Sequence, residues 1–192
     1  MIIGSHDSWT FLRPRKWWMR MLAFTARCQR VDIYDQWLYG ARCFDLRVKY
    51  RDGKFIVAHG LIEYDVEEKE MLCDLEYLDR QGGAYVRVIH EIRRESEYTA
   101  EAVNRFAMFC RKIERIFPNT IFWGGNNLVA GKPLDYRFNA SSLSCCGRYA
   151  SVSKPKLLDD WFPWLYARLH NRRNIEQGTD KEVLLIDFVD IR

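Results

Sequence analysis

The sequence predicts an α/β fold built on a largely parallel sheet or barrel. Three observations point there. Short β-rich apolar runs alternate with amphipathic segments of helical period. Ionisable residues fall at the ends of several different strands, where a charge is expensive unless it is paired. The 192 residues contain no repeat, low-complexity tract or Pro/Gly-rich linker, so 1–192 reads as one domain.

The elements follow in order. Ile2-Ile3 opens a short strand that turns at Gly4-Ser5-His6-Asp7. Residues 17–27, with Trp17, Trp18, Met21, Leu22 and Phe24, suit a short helix, and Ile33 to Tyr39 suits another. From Arg42 to Tyr50, Cys43, Asp45, Arg47 and Lys49 alternate with Phe44, Leu46, Val48 and Tyr50, the period of a strand. The Asp-Gly step in Arg51-Asp52-Gly53-Lys54 predicts a hairpin, with Phe55 to His59 as the returning strand. Glu67 to Asp79 presents Met71, Leu72, Leu75 and Leu78 on one helical face and is stopped by Gly82-Gly83. Tyr85 to Ile92 is a strand. Ala100 to Phe117 is the longest helix, with Val103, Phe106, Ala107, Cys110, Ile113 and Phe117 on its buried side and Pro118 just beyond. Ile121 to Trp123 forms a short strand before Gly124-Gly125. Asp159 to His170 reads as a helix, and Val183 to Val189 as an apolar strand interrupted by Asp187.

Composition narrows the class. Hydrophobic residues make up 48% and charged residues 29%, which describes a folded chain rather than a disordered one. A net charge of +4 is too weak to argue for nucleic acid as a partner. No stretch approaches the roughly 20 apolar residues that span a bilayer. The N-terminus has no basic segment followed by an apolar one, so no signal peptide is visible; the chain reads as cytoplasmic unless a leader was removed. The six cysteines include no CxxC pair, and Cys145-Cys146 has no nearby histidine, so a structural zinc site is not expected. Cys43 and Cys110 sit in apolar patterns and read as buried thiols, although even parity leaves disulfides open.

The informative feature is where the polar groups fall. His6 and Asp7 follow the first strand. Asp45 and Arg47 share one face of the second. His59 ends the hairpin, Arg93 and Glu95 end the Tyr85 strand, and Asp187 lies in the last. Groups of this kind at the ends of different strands are what a barrel active site requires. Two histidines flanking an arginine suit phosphoryl chemistry, one taking a proton from the attacking hydroxyl and the other giving one to the leaving oxygen. The guanidinium would neutralise the phosphate through paired hydrogen bonds. The plainer reading makes Asp45–Arg47 a structural ion pair and His90 and His170 ordinary hydrogen-bonded residues.

These residues also carry a resemblance. Gly4-Ser5-His6-Asp7-Ser8, then Gln36-Trp37-Leu38-Tyr39-Gly40-Ala41-Arg42-Cys43-Phe44-Asp45-Leu46-Arg47, then His59-Gly60, resembles the catalytic X region of phosphatidylinositol-specific phospholipase C, over about the first third of the chain. Asp187-Phe188-Val189 resembles the family's last strand. The resemblance implies a compact, irregular TIM-like (β/α) barrel with shortened helices and loops. It implies that His6 is a general base for the inositol 2-hydroxyl and His59 the general acid for the diacylglycerol oxygen, assisted by Asp7. Arg47 would contact the phosphate, Asp45 would orient Arg47, and Asp187 would hold the tautomer of His6. Arg93 matches a position where bacterial members carry a lysine near the substrate. The family's late-strand sugar contact has its nearest counterpart at Gly147-Arg148-Tyr149, which makes Tyr149 a substrate-binding candidate beside its reading as an ordinary strand aromatic. With Arg47 on the second strand, the chain resembles the metal-independent bacterial enzymes. Only Asp7, Asp45 and Glu91 offer oxygens for calcium, which takes six or more, so no metal is expected.

Two further readings belong here. Arg13-Pro14-Arg15-Lys16-Trp17-Trp18-Met19-Arg20-Met21 suits the lipid–water interface, or else a half-buried helix with its tryptophans in the core. The expected partner is a phosphoinositide or related glycosyl-phosphate lipid. The rival functions are a metal-dependent glycerophosphodiester phosphodiesterase, whose His-Arg-Gly opening is absent here, and a non-catalytic sugar-phosphate-binding module.

Overall fold

The computed structural model describes residues 1–127, 136–147, 154 and 156–191. Its strands are β1 (Ile2–Ser5), β2 (Cys43–Arg51), β3 (Lys54–His59), β4 (Ile62–Glu63), β5 (Tyr85–His90), β6 (Ile121–Asn127), β7 (Cys145–Cys146) and β8 (Val183–Ile186). The helices are α1 (Trp17–Leu22), α2 (Ile33–Leu38), α3 (Glu68–Gln81), α4 (Ala100–Ile116), α5 (Leu157–Trp161) and α6 (Pro163–Gln177). Parallel neighbours run β7-β8-β1-β2-β5-β6. The β3–β4 segment adds to β2 in antiparallel fashion. This is a mixed α/β, irregular TIM-like barrel wall with short helices, and β6 and β7 are its parallel edges among the described residues.

Side-chain alternation separates the two faces of this wall. Phe44, Leu46 and Val48 of β2, Val86 and Val88 of β5, and Leu184 and Ile186 of β8 enter one large core. That core also takes Met71, Leu75 and Leu78 from α3 and Phe106 and Ile113 from α4. The opposite face carries a smaller apolar plug of Cys43, Trp123, Val183 and Leu185. Asp45 and Arg47 share Cys43's face because the strand period is two, so they stand above that plug. The hairpin pairs Arg51 with Lys54 and has positive φ at Asp52 and Gly53, the turn the Asp-Gly step favours. Helix starts are capped as the sequence allows: Asp32 accepts from the Asp35 N–H at 2.9 Å, and Thr99 from the Ala102 N–H at 3.1 Å.

Several elements differ from the sequence reading. Strand β6 runs on through Gly124-Gly125 to Asn127. Its pairing with β5 shifts register between Val88 and Ile89, and glycine lets the backbones close at that bulge. The C-terminal helix splits at Phe162, which is extended because Pro163 follows it. Strand β8 ends at Ile186, so Asp187 lies beyond the strand, and Phe188 turns the chain with φ 49°. Arg93 and Glu95 likewise lie past the end of β5, with Glu95 opening a single 3-10 turn. On α4 the buried face takes in Ala102 and Phe109, while Val103 and Ala107 are half-buried. The expected helix over 17–27 is α1 followed by a 3-10 turn at Ala23–Thr25. Cys43 and Cys110 are buried, and all six cysteines are free thiols. Among the described residues no helix is long and apolar enough to cross a membrane.

Candidate active site

The site begins with the turn after β1. The His6 N–H bonds the Ile186 carbonyl at 3.0 Å, and the Ser8 N–H bonds that of Asp45 at 3.0 Å. Between them Asp7 sits at φ 44°, a left-handed conformation that an aspartate tolerates better than most residues. Buried polar side chains lock this geometry. Ser8 Oγ donates to the Ser5 carbonyl at 2.8 Å and accepts from the Asp45 N–H at 2.8 Å. Gln36 accepts from Ser5 Oγ at 2.5 Å and donates to the Ser8 and Val31 carbonyls. Gln29 donates to the His6 and Ile186 carbonyls and accepts from the Val189 N–H. Asn171 of α6 donates to the Asp187 carbonyl at 2.7 Å. Each amide bonds buried backbone groups and so ties segments that are far apart in the chain.

Six of the sequence-derived candidates converge on this turn. His6 Nδ1 lies 2.7 Å from Asp187 Oδ1, and His6 Nε2 lies 2.9 Å from Arg47 Nη2. Arg47 bridges two carboxylates, with Nε 2.8 Å from Asp7 Oδ1 and Nη2 2.9 Å from Asp45 Oδ2. His59 enters from the end of β3, its Nε2 3.4 Å from Asp7 Oδ2. The Nδ1 of His59 donates to the Ala26 carbonyl at 2.8 Å, which leaves Nε2 facing the site. The two imidazole centroids are 6.1 Å apart. The histidine side chains remain 18% and 24% exposed while the acids are buried, so the site opens to solvent on its histidine side.

Electrostatics set the proton states. Burial alone would lower the pKa of His6, but the charges of Asp7 and Asp187 and the Asp187 hydrogen bond outweigh it and raise the pKa above the ordinary imidazole value. Burial likewise opposes ionisation of Asp45, yet Arg47 and Arg87 hold its carboxyl well below the usual range. Glu91 is pushed up by burial and only partly drawn back by Arg47. It accepts from the Gly60 N–H at 2.9 Å and so braces the residue after His59.

The remaining candidates lie elsewhere. Arg93 is exposed, with Nη1 3.0 Å from where a Cβ on Gly60 would stand, so it overhangs the His59–Gly60 turn. Tyr149 lies outside the described residues. Trp17 is 71% exposed and Trp18 38%, which places neither indole in the core. His90 stacks on Phe106 at 4.6 Å in the apolar core, and His170 bonds Asp159 at 2.8 Å, as their plainer readings had it. Sequence reasoning missed Cys28, whose Sγ lies 3.8 Å from His59 Nδ1, and Arg87, 3.5 Å from Asp45 Oδ1. Arg87 had a visible signal: it is a charge on an otherwise apolar strand. Cys28 had none.

Three sets of side chains have donor atoms close enough for a metal ion: His6–Cys28–Asp187, Asp7–Cys28–His59 and His6–Asp7–Asp45. Among the oxygens a calcium ion could use, Asp7 Oδ1 and Asp45 Oδ2 contact Arg47, and Glu91 Oε2 lies 3.9 Å from it.

No family model matches the sequence, and no curated protein is similar to it. Solved structures do match. The phosphatidylinositol-specific phospholipase C of Listeria monocytogenes superposes with a TM-score of 0.61 at 14% identity, over 97% of this chain and 87% of that one. A variant of the Staphylococcus aureus enzyme gives 0.61 at 15% identity, over 97% and 84%. Another S. aureus structure, titled for modulation of membrane binding, gives 0.53 at 15% identity, over 97% and 85%. The chain therefore has the barrel fold of these bacterial proteins.

Proposed function

We propose that the chain cleaves phosphatidylinositol or a related glycosyl-phosphate lipid by a phospholipase C reaction. One observation carries this reading: His6 and His59 face each other 6.1 Å apart with the Arg47 guanidinium beside them. A phosphodiester seated on the solvent-open side of the two rings meets a proton acceptor at one end and a proton donor at the other.

In this reading, neutral His6 keeps its proton on Nδ1, held by Asp187, and takes the inositol 2-hydroxyl proton at Nε2. The 2-oxygen forms a bond to phosphorus. The bond from phosphorus to the diacylglycerol oxygen breaks, and His59 gives that oxygen its Nε2 proton. The products are inositol 1,2-cyclic phosphate and diacylglycerol. Arg47, oriented by Asp45 and Asp7, neutralises charge on the phosphate oxygens where it grows. Arg47 supplies the positive charge a calcium ion would bring, so the reaction needs no metal. Arg93, which overhangs the His59–Gly60 turn, meets the sugar or phosphate from the solvent side in this reading.

The lipid is met at a surface. Trp17, Trp18, Met21, Leu22 and Phe24 form an exposed apolar strip preceded by basic residues. Trp161 and Phe162 extend it, with Phe162 stacked on Phe24 at 5.7 Å, and Leu61 is exposed two residues after His59. The S. aureus structure titled for membrane binding shares this fold.

The test is diacylglycerol release from phosphatidylinositol vesicles by wild type, His6→Ala and His59→Ala, each with and without EDTA. Wild type is expected to turn over equally with EDTA, and loss of either histidine to cost at least about 100-fold. Absence of wild-type turnover on every phosphoinositide overturns the reading. Loss of turnover with EDTA favours the metal-dependent rival.

A further inference from the structure

We propose that the groove between the β2–β3 hairpin and α4 is a binding site for a single-chain alkyl phosphate, a ligand with one phosphate head and one apolar tail. None of its lining residues takes part in the reaction proposed above, and the site stands independently of that reaction.

The groove has a volume of about 740 Å³. That lies inside the range of roughly 300–1,000 Å³ that small organic ligands occupy. Its lining holds five cations, Lys54, Arg105, Arg111, Lys112 and Arg115, against a single carboxylate, Glu68. This excess of four equals the net charge of the whole chain, so the rest of the sequence is balanced and the positive charge is gathered here. Glu68 is engaged by Lys112 at 2.7 Å, which leaves the arginines for an incoming anion.

Polarity runs along the groove. Its floor is aromatic, with Phe55 packed on Tyr50 at 5.4 Å and on Phe109 at 5.1 Å. Met108, next to Phe109 on α4, leaves 56% of its surface to solvent. A thioether is polarisable and adapts to an alkyl chain. Arg111 and Arg115 follow Met108 by about one and two helical turns. An apolar part and a cationic part therefore sit end to end along one helix, the layout that an anionic amphiphile matches.

The arginine pair itself points to a ligand. Like charges four residues apart repel and destabilise a helix. Among the described residues neither arginine has an ion-pair partner, and Arg111 Nε donates only to the Ala107 carbonyl, at 3.3 Å. Two guanidinium groups one turn apart grip a phosphate dianion through charge-assisted hydrogen bonds, and the bound dianion turns their repulsion into attraction. An uncharged chain would leave the arginines unpaired, and inorganic phosphate would leave Met108 in water. A phosphate on an alkyl chain, as in a monoacylglycerol phosphate, satisfies both.

The experiment titrates the full chain by calorimetry with decyl phosphate below its micelle concentration. Wild type should bind one equivalent. Inorganic phosphate and decanol, each carrying one part of the ligand, should bind at least about tenfold more weakly. Arg111→Gln/Arg115→Gln should lower the affinity for decyl phosphate at least about tenfold, and so should Met108→Asp, which sets an anion beside the tail. Met108→Asp should keep the wild-type Tm, and the arginine variant should match or exceed it, because the repulsion is relieved. Trp17→Ala/Trp18→Ala, which alters the exposed apolar strip instead, should bind decyl phosphate as wild type does. Unchanged affinity in the arginine variant overturns the proposal, as does equal binding of inorganic phosphate. So does an effect of the arginines seen only in sedimentation with phosphatidate vesicles, without binding of the monomer, which would assign them to a membrane surface. Binding and melting are read without lipid turnover, so an enzyme inactive on phosphoinositides leaves the test intact.

Discussion

The Arg47 guanidinium and the His6 imidazole meet at 2.9 Å, Nη2 to Nε2, and this contact defines which nitrogen of the neutral ring is free. An arginine N–H has only a donor to offer, so Nε2 must present its lone pair, and the ring proton sits on Nδ1 against Asp187. The ring of His6 is thus oriented from both sides, and Arg47 is held beside it by Asp7 and Asp45.

Arg47→Lys should therefore be severe despite keeping the charge. Lysine is a point charge and cannot bridge Asp7, Asp45 and a phosphate in one plane. A fall of about 10²–10³ in kcat is expected, the scale of removing one aligned donor from a developing charge. Diacylglycerol release under single-turnover conditions checks this. A drop of less than about threefold would place Arg47 outside the reaction.

Asp187→Asn tests the other nitrogen of His6. Asp187 raises the His6 pKa through its charge and its hydrogen bond. Because the base works only when unprotonated, the acid limb of kcat/KM in wild type should lie above the ordinary imidazole range near 6.5. The asparagine should move that limb to lower pH and reduce the plateau by about 10²–10⁴ as the tautomer is lost. Stability follows the same sign. A raised folded-state pKa stabilises below the unfolded value and the contribution fades as pH rises through the folded one, so Asp187→Asn should lose most stability in acid. An unmoved limb would mean that Asp187 does not govern His6.

The parts of this site that were legible in the sequence are those written in local pattern. The alternation from Cys43 to Tyr50 put Asp45 and Arg47 on one face, and the Asp-Gly turn brought His59 back beside them. The buried amides Gln29, Gln36 and Asn171 were not legible, because their partners are carbonyls contributed by distant segments. Gln29, for example, joins His6, Ile186 and Val189. Cys28 was hidden for the same reason, since its neighbours lie 21 and 31 residues away. The break at Phe162–Pro163 was legible and went unread, as the apolar pattern on either side of it suits a single helix.

The exposed indoles give a prediction separable from catalysis. Even partial burial of two side chains that each carry about 150–250 Å² exceeds the ~1.4 kcal/mol of a tenfold affinity change. Trp17→Ala/Trp18→Ala should weaken sedimentation with anionic vesicles at least about tenfold. Turnover of a short-chain soluble substrate should be preserved, since both indoles are exposed to solvent. Equal vesicle binding would remove α1 from the membrane contact.

Gly124 offers a test of the barrel wall itself. A Cβ there would stand 2.6 Å from the Val88 carbonyl oxygen, a backbone atom with no freedom to retreat, and φ is 94°. Gly53 also has positive φ, at 81°, but nothing lies within 4 Å of its Cβ position. Gly124→Ala should therefore cost about 1–3 kcal/mol, or roughly 2–12 °C in Tm for a chain of this size, whereas Gly53→Ala, strained by its φ but free of any clash, should cost only about 1 kcal/mol. The damage should reach the site as well. Trp123, the residue before Gly124, pairs with Arg87, and Arg87 faces Asp45 on the neighbouring strand. A shift of β6 at the bulge moves Arg87, then Asp45, then the guanidinium that Asp45 holds. Gly124→Ala should thus lower kcat even at temperatures where it is fully folded. Thermal melts combined with turnover at 15 °C separate the two effects; a variant that melts early yet retains full kcat when cold would confine Gly124 to a role in packing.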